Sequence, residues 1–150
     1  MSAVPEKEVA LFHITNYFQQ EIHNTKRRND KMPVSRIVYE GKAVNEKILR
    51  ALHKSLQGII ARELSTPANP LTDENVDLIF EEGHRLNKGK PLKILVNGND
   101  FPGRTDNVQE RSEKIARSVE SLICPLAEER IDPGYVYVTL QAGGLGKFNF

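Results

Sequence analysis

Residues 92–119 combine an apolar strand, a polar turn and a long amphipathic helix, and any fold of this chain has to accommodate that unit. Leu92–Val96 is an almost unbroken apolar run, which is typical of a central strand covered on both faces. A polar turn over 97–106 follows it. Asp106 is then predicted to cap the next helix, with Gln109 placed to return the hydrogen bond. The pattern therefore predicts a strand, a turn and a helix in direct succession.

The spacing of apolar residues predicts the other elements. Recurrence at three- and four-residue steps indicates helices, and short runs of β-branched and aromatic residues indicate strands. Thr72, followed by two acidic residues, is typical of a helix N-cap and first turn. The further predicted elements, in chain order, are a helix over 5–25, a strand over Val34–Tyr39, helices over about 43–64 and 72–87, and a strand over Tyr135–Leu140.

This order predicts an α+β fold: a small sheet of about three strands packed by about four helices, with a C-terminal β-α-β unit. At 150 residues the chain has the length of a single domain, so residues 1–150 are predicted to form one α+β domain. Residues 141–150 contain three glycines and two phenylalanines. They are predicted either to form a flexible tail or to dock on a neighbouring subunit.

Composition narrows the function classes. The net charge is +1, so no overall field selects nucleic acid, a membrane or acidic partners. The single cysteine, Cys124, permits no intrachain disulfide, which favours a reducing compartment and a cytoplasmic location. The four histidines have no metal-binding spacing, and no apolar window is long enough for a membrane span. The sequence therefore predicts no metal, no cofactor and no membrane association.

The turn over 97–106 is the leading candidate for a ligand site. It follows the carboxyl end of a central strand, where open α/β sheets bind ligands, and its arginine can clamp a phosphate or carboxylate. The glycine spacing, however, matches neither a dinucleotide-binding fingerprint nor a P-loop. A tight strand-to-helix turn with an ordinary cap is the structural alternative. The candidate ligand-binding residues are Asn97, Asn99, Asp100, Arg104 and Asp106.

A cluster of cations near the first predicted strand is a second candidate site. It can contact nucleic-acid phosphates, or it can simply provide cations at the end of the first predicted helix. No aromatic residue is interleaved with these cations, and no recognised nucleic-acid-binding motif adjoins them. The candidate nucleic-acid-binding residues are Lys26, Arg27, Arg28, Lys31 and Arg36.

The motifs identify no catalytic residues and no family. They leave open whether the chain is an enzyme. Residues 1–64 carry 11 Lys and Arg against 7 Asp and Glu, whereas residues 65–150 carry 10 against 13. This asymmetry and an edge-prone last strand favour a non-enzymatic protein-binding or assembly module, a self-associating homo-oligomer within a larger complex. The alternatives are a small-molecule or phosphate-ligand-binding protein, with or without enzymatic activity, using loop 97–106, and a weak nucleic-acid binder using the basic cluster. The predicted interface residues are Tyr135, Tyr137, Phe148 and Phe150.

Overall fold

The computed structural model describes residues 33–128 and 134–142. Within these ranges the chain forms four β-strands and two α-helices. In chain order they are β1 (Val34–Tyr39), α1 (Glu46–Leu64), β2 (Asp77–Glu82), β3 (Leu92–Asn99), α2 (Val108–Ile123) and β4 (Tyr135–Gln141). Short 3-10 turns occur at Asp73–Asn75, Thr105–Asn107 and Cys124–Leu126. The helix predicted over 5–25 lies outside the described residues.

The four strands form one mixed sheet in the order β2-β1-β3-β4. β1 pairs with β2 in parallel, β3 pairs with β4 in parallel, and the two pairs meet through the antiparallel neighbours β1 and β3. Residues 33–128 and 134–142 therefore form two β-α-β units joined side by side. Because side chains alternate along a strand, Ile37, Ile94 and Val138 lie on the face that carries the core, and Tyr135 and Tyr137 lie on the opposite, open face.

Helix α1 supplies most of the apolar surface that packs on the sheet. Its N-cap Asn45 accepts a hydrogen bond from the backbone N–H of Ile48 at 3.0 Å. The Asn45 side-chain amide also donates to the carbonyl of Leu126 at 3.1 Å, which ties the start of α1 to the residues after α2. The fully buried stripe of α1 repeats every four residues and consists of Ile48, Leu52, Leu56, Ile60 and Leu64.

The predicted fold of about three strands and four helices is wrong. The chain over 72–87 is not a helix: the cap at Thr72 starts only a 3-10 turn, in which its N–H donates to Asn75 Oδ1 at 2.9 Å, and the chain then enters β2. A short apolar run carries too little periodicity to separate strand from helix. Pairing with β1 along all six residues decides in favour of the strand, which leaves Ile79 43% exposed on the open face.

The other elements predicted within the described residues are present. β1 has the predicted bounds, α1 begins three residues later than predicted, and β3 and β4 extend beyond their predicted ends. The C-terminal β-α-β unit is confirmed, because β3 and β4 pair in parallel on either side of α2 in the chain. The predicted cap of α2 is wrong: Asp106 lies inside a 3-10 turn, and Asn107 occupies the cap position.

Candidate ligand-binding site

The loop after β3 lies at the end of the sheet where β1 begins. Val34 of β1 pairs with Asn97 of β3, and a methyl group added to Gly98 would lie 3.7 Å from the Cβ of the buried Pro33. The backbone N–H of Asp100 donates to the carbonyl of Gln141 in β4 at 2.9 Å. Loop 97–106 is thus anchored to the strands on both sides of β3.

Arg104 is the central residue of this loop and is fully buried, with 0% exposure. Its Nε donates to the carbonyl of Leu64 at the end of α1 at 2.9 Å, and its Nη1 donates to the carbonyl of Asn99 at 3.1 Å. The Phe101 ring lies over the guanidinium, with 4.9 Å between the ring centroid and Cζ. The third nitrogen, Nη2, is buried and has no hydrogen-bond partner among the described residues.

Arg111 of α2 reaches the same end of α1 from the other side. Its Nη1 donates to the carbonyls of Glu63 and Ser65, the latter at 3.2 Å, and its Nη2 donates to the carbonyl of Gly103 at 3.0 Å. Two guanidinium groups therefore bind the last carbonyls of α1, where the negative end of the helix dipole favours cations. The two cations also act on each other: burial lowers the pKa of Arg104 from its ordinary value, and repulsion by Arg111 lowers that pKa further.

The other predicted ligand residues surround Arg104 to different extents. Asn97 is exposed, whereas Asn99 is partly buried and gives its carbonyl to Arg104. Asp100 accepts a hydrogen bond from the Thr105 hydroxyl at 3.1 Å, which closes the turn. The structure thus brings together the backbone of Asn99, the side chain of Arg104 and the Asp100–Thr105 turn.

Asp106 has a different place from the one predicted. It is exposed within the 3-10 turn before α2 and makes no capping hydrogen bond. Asn107, at the cap position, accepts from Arg111 Nε at 2.6 Å instead of from the backbone of α2. Gln109 donates to Glu113 at 2.9 Å and does not return a bond to the cap. The first turn of α2 is therefore not blocked by an aspartate cap.

The predicted nucleic-acid residues are mostly outside the described part of the chain: Lys26, Arg27, Arg28 and Lys31 all lie there. Arg36, in β1, forms an ion pair with Glu81 of β2, with 2.6 Å between Nη2 and Oε2. That hydrogen bond, followed by the charge of Glu81, raises the pKa of Arg36 above its ordinary value. Arg36 is therefore already paired within the sheet.

Of the predicted interface residues, Tyr135 and Tyr137 are 45% and 62% exposed, and Phe148 and Phe150 lie outside the described residues.

Sequence reasoning missed the role of Arg111. Its position four residues after Asn107 is ordinary for a helix surface, and two of its three carbonyl partners, Glu63 and Ser65, are more than 40 residues away in the chain. Over 33–128 and 134–142, no cluster of three metal-ligating side chains is found, and no helix is long and apolar enough to cross a membrane.

Two solved structures share this fold. A 5-carboxymethyl-2-hydroxymuconate delta-isomerase is similar with a TM-score of 0.55 and 16% sequence identity, covering 79% of this chain and 88% of that chain. The F6 fused 4-OT wild-type asymmetric trimer is similar with a TM-score of 0.52 and 14% identity, covering 75% of this chain and 92% of that chain. No protein-family model matches the sequence, and no curated protein matches it. The described residues therefore have the β-α-β fold of these two structures, one of which is a trimer.

These neighbours correct the leading functional interpretation. The sequence favoured a non-enzymatic assembly module, but the structures with this fold include an isomerase and a 4-OT, which are enzymes. The interpretation as an assembly module is therefore wrong, and its alternative, a small-molecule or phosphate-ligand-binding protein with or without enzymatic activity, is better supported. A sequence without a recognisable catalytic motif can still encode an enzyme, because the tertiary structure brings catalytic residues together from distant positions.

Proposed function

We propose that the chain is an enzyme of the isomerase type that binds a small carboxylate-bearing compound at loop 97–106, with Arg104 as the carboxylate-binding residue. The observation that carries the proposal is the buried Nη2 of Arg104, which lacks a hydrogen-bond partner among the described residues. A buried donor without a partner costs free energy, and a ligand oxygen can provide that partner.

The fold likeness supports the choice of ligand class. The isomerase of similar fold is named for 5-carboxymethyl-2-hydroxymuconate, whose name includes a carboxymethyl group. A planar guanidinium matches the geometry of a carboxylate, and the nearby Arg111 cation adds positive potential. Asn97, Asn99, Asp100 and Asp106 are the proposed polar contacts to the rest of the ligand.

Access to Arg104 depends on Phe101 in this proposal. The ring stacks on the guanidinium at 4.9 Å and is itself only partly buried. A ligand that moves the ring exchanges a cation–π contact for a charge-assisted hydrogen bond, which is the stronger interaction. The loop is therefore proposed to open at Phe101 while its ends stay anchored to β1 and β4.

Arg104→Gln and Arg111→Gln form a matched pair that tests the proposal. Both substitutions remove hydrogen bonds to the end of α1, but only Arg104 carries the unpartnered nitrogen. Turnover of 5-carboxymethyl-2-hydroxymuconate is followed by ultraviolet absorbance, because moving a conjugated double bond changes the absorption. Arg104→Gln is expected to lower kcat/KM by about a hundredfold or more, and Arg111→Gln by less than about tenfold.

Both variants are assayed well below their unfolding temperatures, so that lost stability does not count as lost activity. Equal losses in the two variants would assign Arg104 to the α1 tether alone. The proposal would also be refuted if the native chain neither bound the compound nor turned it over.

We further propose that the protein is a cytoplasmic homo-oligomer that associates through the open face of its sheet. Ile79, Leu95 and Tyr137 are in register across this face, and two of them are substantially exposed. The trimeric state of the 4-OT neighbour supports this choice.

Tyr137→Glu is expected to reduce the mass measured by light scattering. Leu86→Glu, at a 75% exposed residue in the loop after β2, is expected to leave that mass unchanged. An unchanged mass in Tyr137→Glu would contradict the interface.

A further inference from the structure

A groove lies at the end of the sheet opposite to loop 97–106. It is formed where the parallel strands β1 and β2 end and β3 begins, with Tyr39, Gly83 and Pro91 among its lining residues. It is a shallow depression with about 350 Å³ of free space, a volume that includes open solvent. The carboxyl ends of parallel strands are a common position for ligand sites, because the chain leaves the sheet there in loops.

The charged side chains that line this groove are predominantly basic. Lys88, Lys90, Lys93 and His84 all line it, and Glu40 is the single acidic residue among its described lining. None of the three lysines takes part in an ion pair with another described residue. Three lysine ammonium groups and one carboxylate therefore line the groove. This excess of positive charge produces a positive potential that attracts anions.

The loop backbone brings one of these cations into a defined position. Gly89 has a φ of 130°, which side-chain-bearing residues rarely adopt, and a Cβ built on it would lie 3.4 Å from Lys93 Nζ. The loop thus turns directly over the Lys93 ammonium. Among the described residues, no carbonyl accepts a hydrogen bond from the backbone N–H of Lys88, Gly89 or Lys90, so these donors are available to a ligand.

His84 adds a further donor. Its Nδ1 accepts a hydrogen bond from the backbone N–H of Leu86 at 3.2 Å. In a neutral imidazole one nitrogen accepts while the other donates, so this contact makes Nε2 the donor. The lining thus combines ammonium groups, a ring N–H and free backbone amides, all of which are hydrogen-bond donors to an anion.

We propose that this groove is a second ligand site, which binds the phosphate group of a small molecule. Lysine ammonium groups are compact point charges that suit the several oxygens of a phosphate. The groove is separated from Arg104 by the length of the sheet, so the site is independent of the proposed isomerase site. Free phosphate and a phosphate monoester offer the same group, and the choice between them depends on contacts beyond it.

The test is calorimetric titration of the full chain with inorganic phosphate and with glycerol 3-phosphate at low ionic strength. Lys93→Gln, and separately Lys88→Gln with Lys90→Gln, are expected to weaken binding about tenfold. Lys54→Gln, at an exposed lysine of α1, is the matched control and should bind as the native chain does. Added salt should weaken native binding, because exposed charges are screened.

Tighter binding of glycerol 3-phosphate than of phosphate would identify a monoester as the ligand, and tighter binding of inorganic phosphate would identify free phosphate. Native-like binding by both lysine variants, or no binding of either probe by the native chain, would overturn the proposal. Loss of phosphate binding in Arg104→Gln with full binding in Lys93→Gln would also overturn it and assign the anion to loop 97–106. Failure of the isomerase assay leaves these outcomes unaffected.

Discussion

Replacing Arg104 by alanine is expected to lower the free energy of unfolding by about 3 kcal/mol. The substitution removes two charge-assisted hydrogen bonds, from Nε to Leu64 and from Nη1 to Asn99. Bonds of this kind contribute about 1.5–3 kcal/mol each, so together they stabilise the fold by about 3–6 kcal/mol. Removing the buried Nη2, which has no partner in the part of the chain that the structure describes, returns about 1–3 kcal/mol, since an unsatisfied buried donor costs that amount.

Urea unfolding measures this difference in the free energy of unfolding. The slope of that free energy against urea concentration should be the same in the native chain and the variant, which checks that the compactness of the folded and unfolded states is preserved. Arg62→Ala is the matched control, because Arg62 also lies in the last turn of α1 but pairs at the surface with Glu63 and is 63% exposed. That surface pair is worth about 0–1 kcal/mol. A loss below about 1 kcal/mol in Arg104→Ala would refute the view that this guanidinium holds the end of α1.

Three further substitutions test the fold. Leu56→Ala in the buried stripe of α1 should cost about 2–5 kcal/mol in urea unfolding, and Leu49→Ala, at a partly buried residue, clearly less; equal losses would contradict the assigned core face. Asn45→Ala removes the cap of α1 and should cost about 1 kcal/mol, and no change in the unfolding midpoint would argue against the cap. Gly134→Ala places a Cβ 2.6 Å from the carbonyl oxygen of Leu92 and should therefore lower the melting temperature. An unchanged melting temperature would contradict the position of the start of β4 beside β3.

The sequence by itself determined the elements that have a strong and sufficiently long pattern. The stripe of α1 repeats over five turns, and β1, β3 and β4 are rich in β-branched or apolar residues, so their existence followed from periodicity alone. It also predicted the parallel pairing of β3 and β4, because a strand, a helix and a second strand in succession favour a parallel crossover. Loop 97–106 could be located for the same reason, as the connection inside that unit.

Only the tertiary structure decided the state of residues 77–82. The local signals at Thr72 were those of a helix start, and they produce a 3-10 turn of three residues. The backbone of β2 then finds its hydrogen-bond partners on β1, which is about 40 residues earlier in the chain. No local pattern can report a partner at that separation, and a six-residue segment is too short for its own periodicity to decide.

The role of Arg104 was equally beyond local reasoning. Its presence in a polar turn predicted an anion clamp, but did not indicate that the end of α1 meets the turn and buries the guanidinium completely. Two of its nitrogens then bind carbonyls, one of them 40 residues away, while the third has no hydrogen-bond partner within 33–128 and 134–142. Residue type and spacing thus determined which groups the loop contains. Packing of α1 against the loop decided which of those groups are buried, because burial depends on surfaces that are distant in sequence.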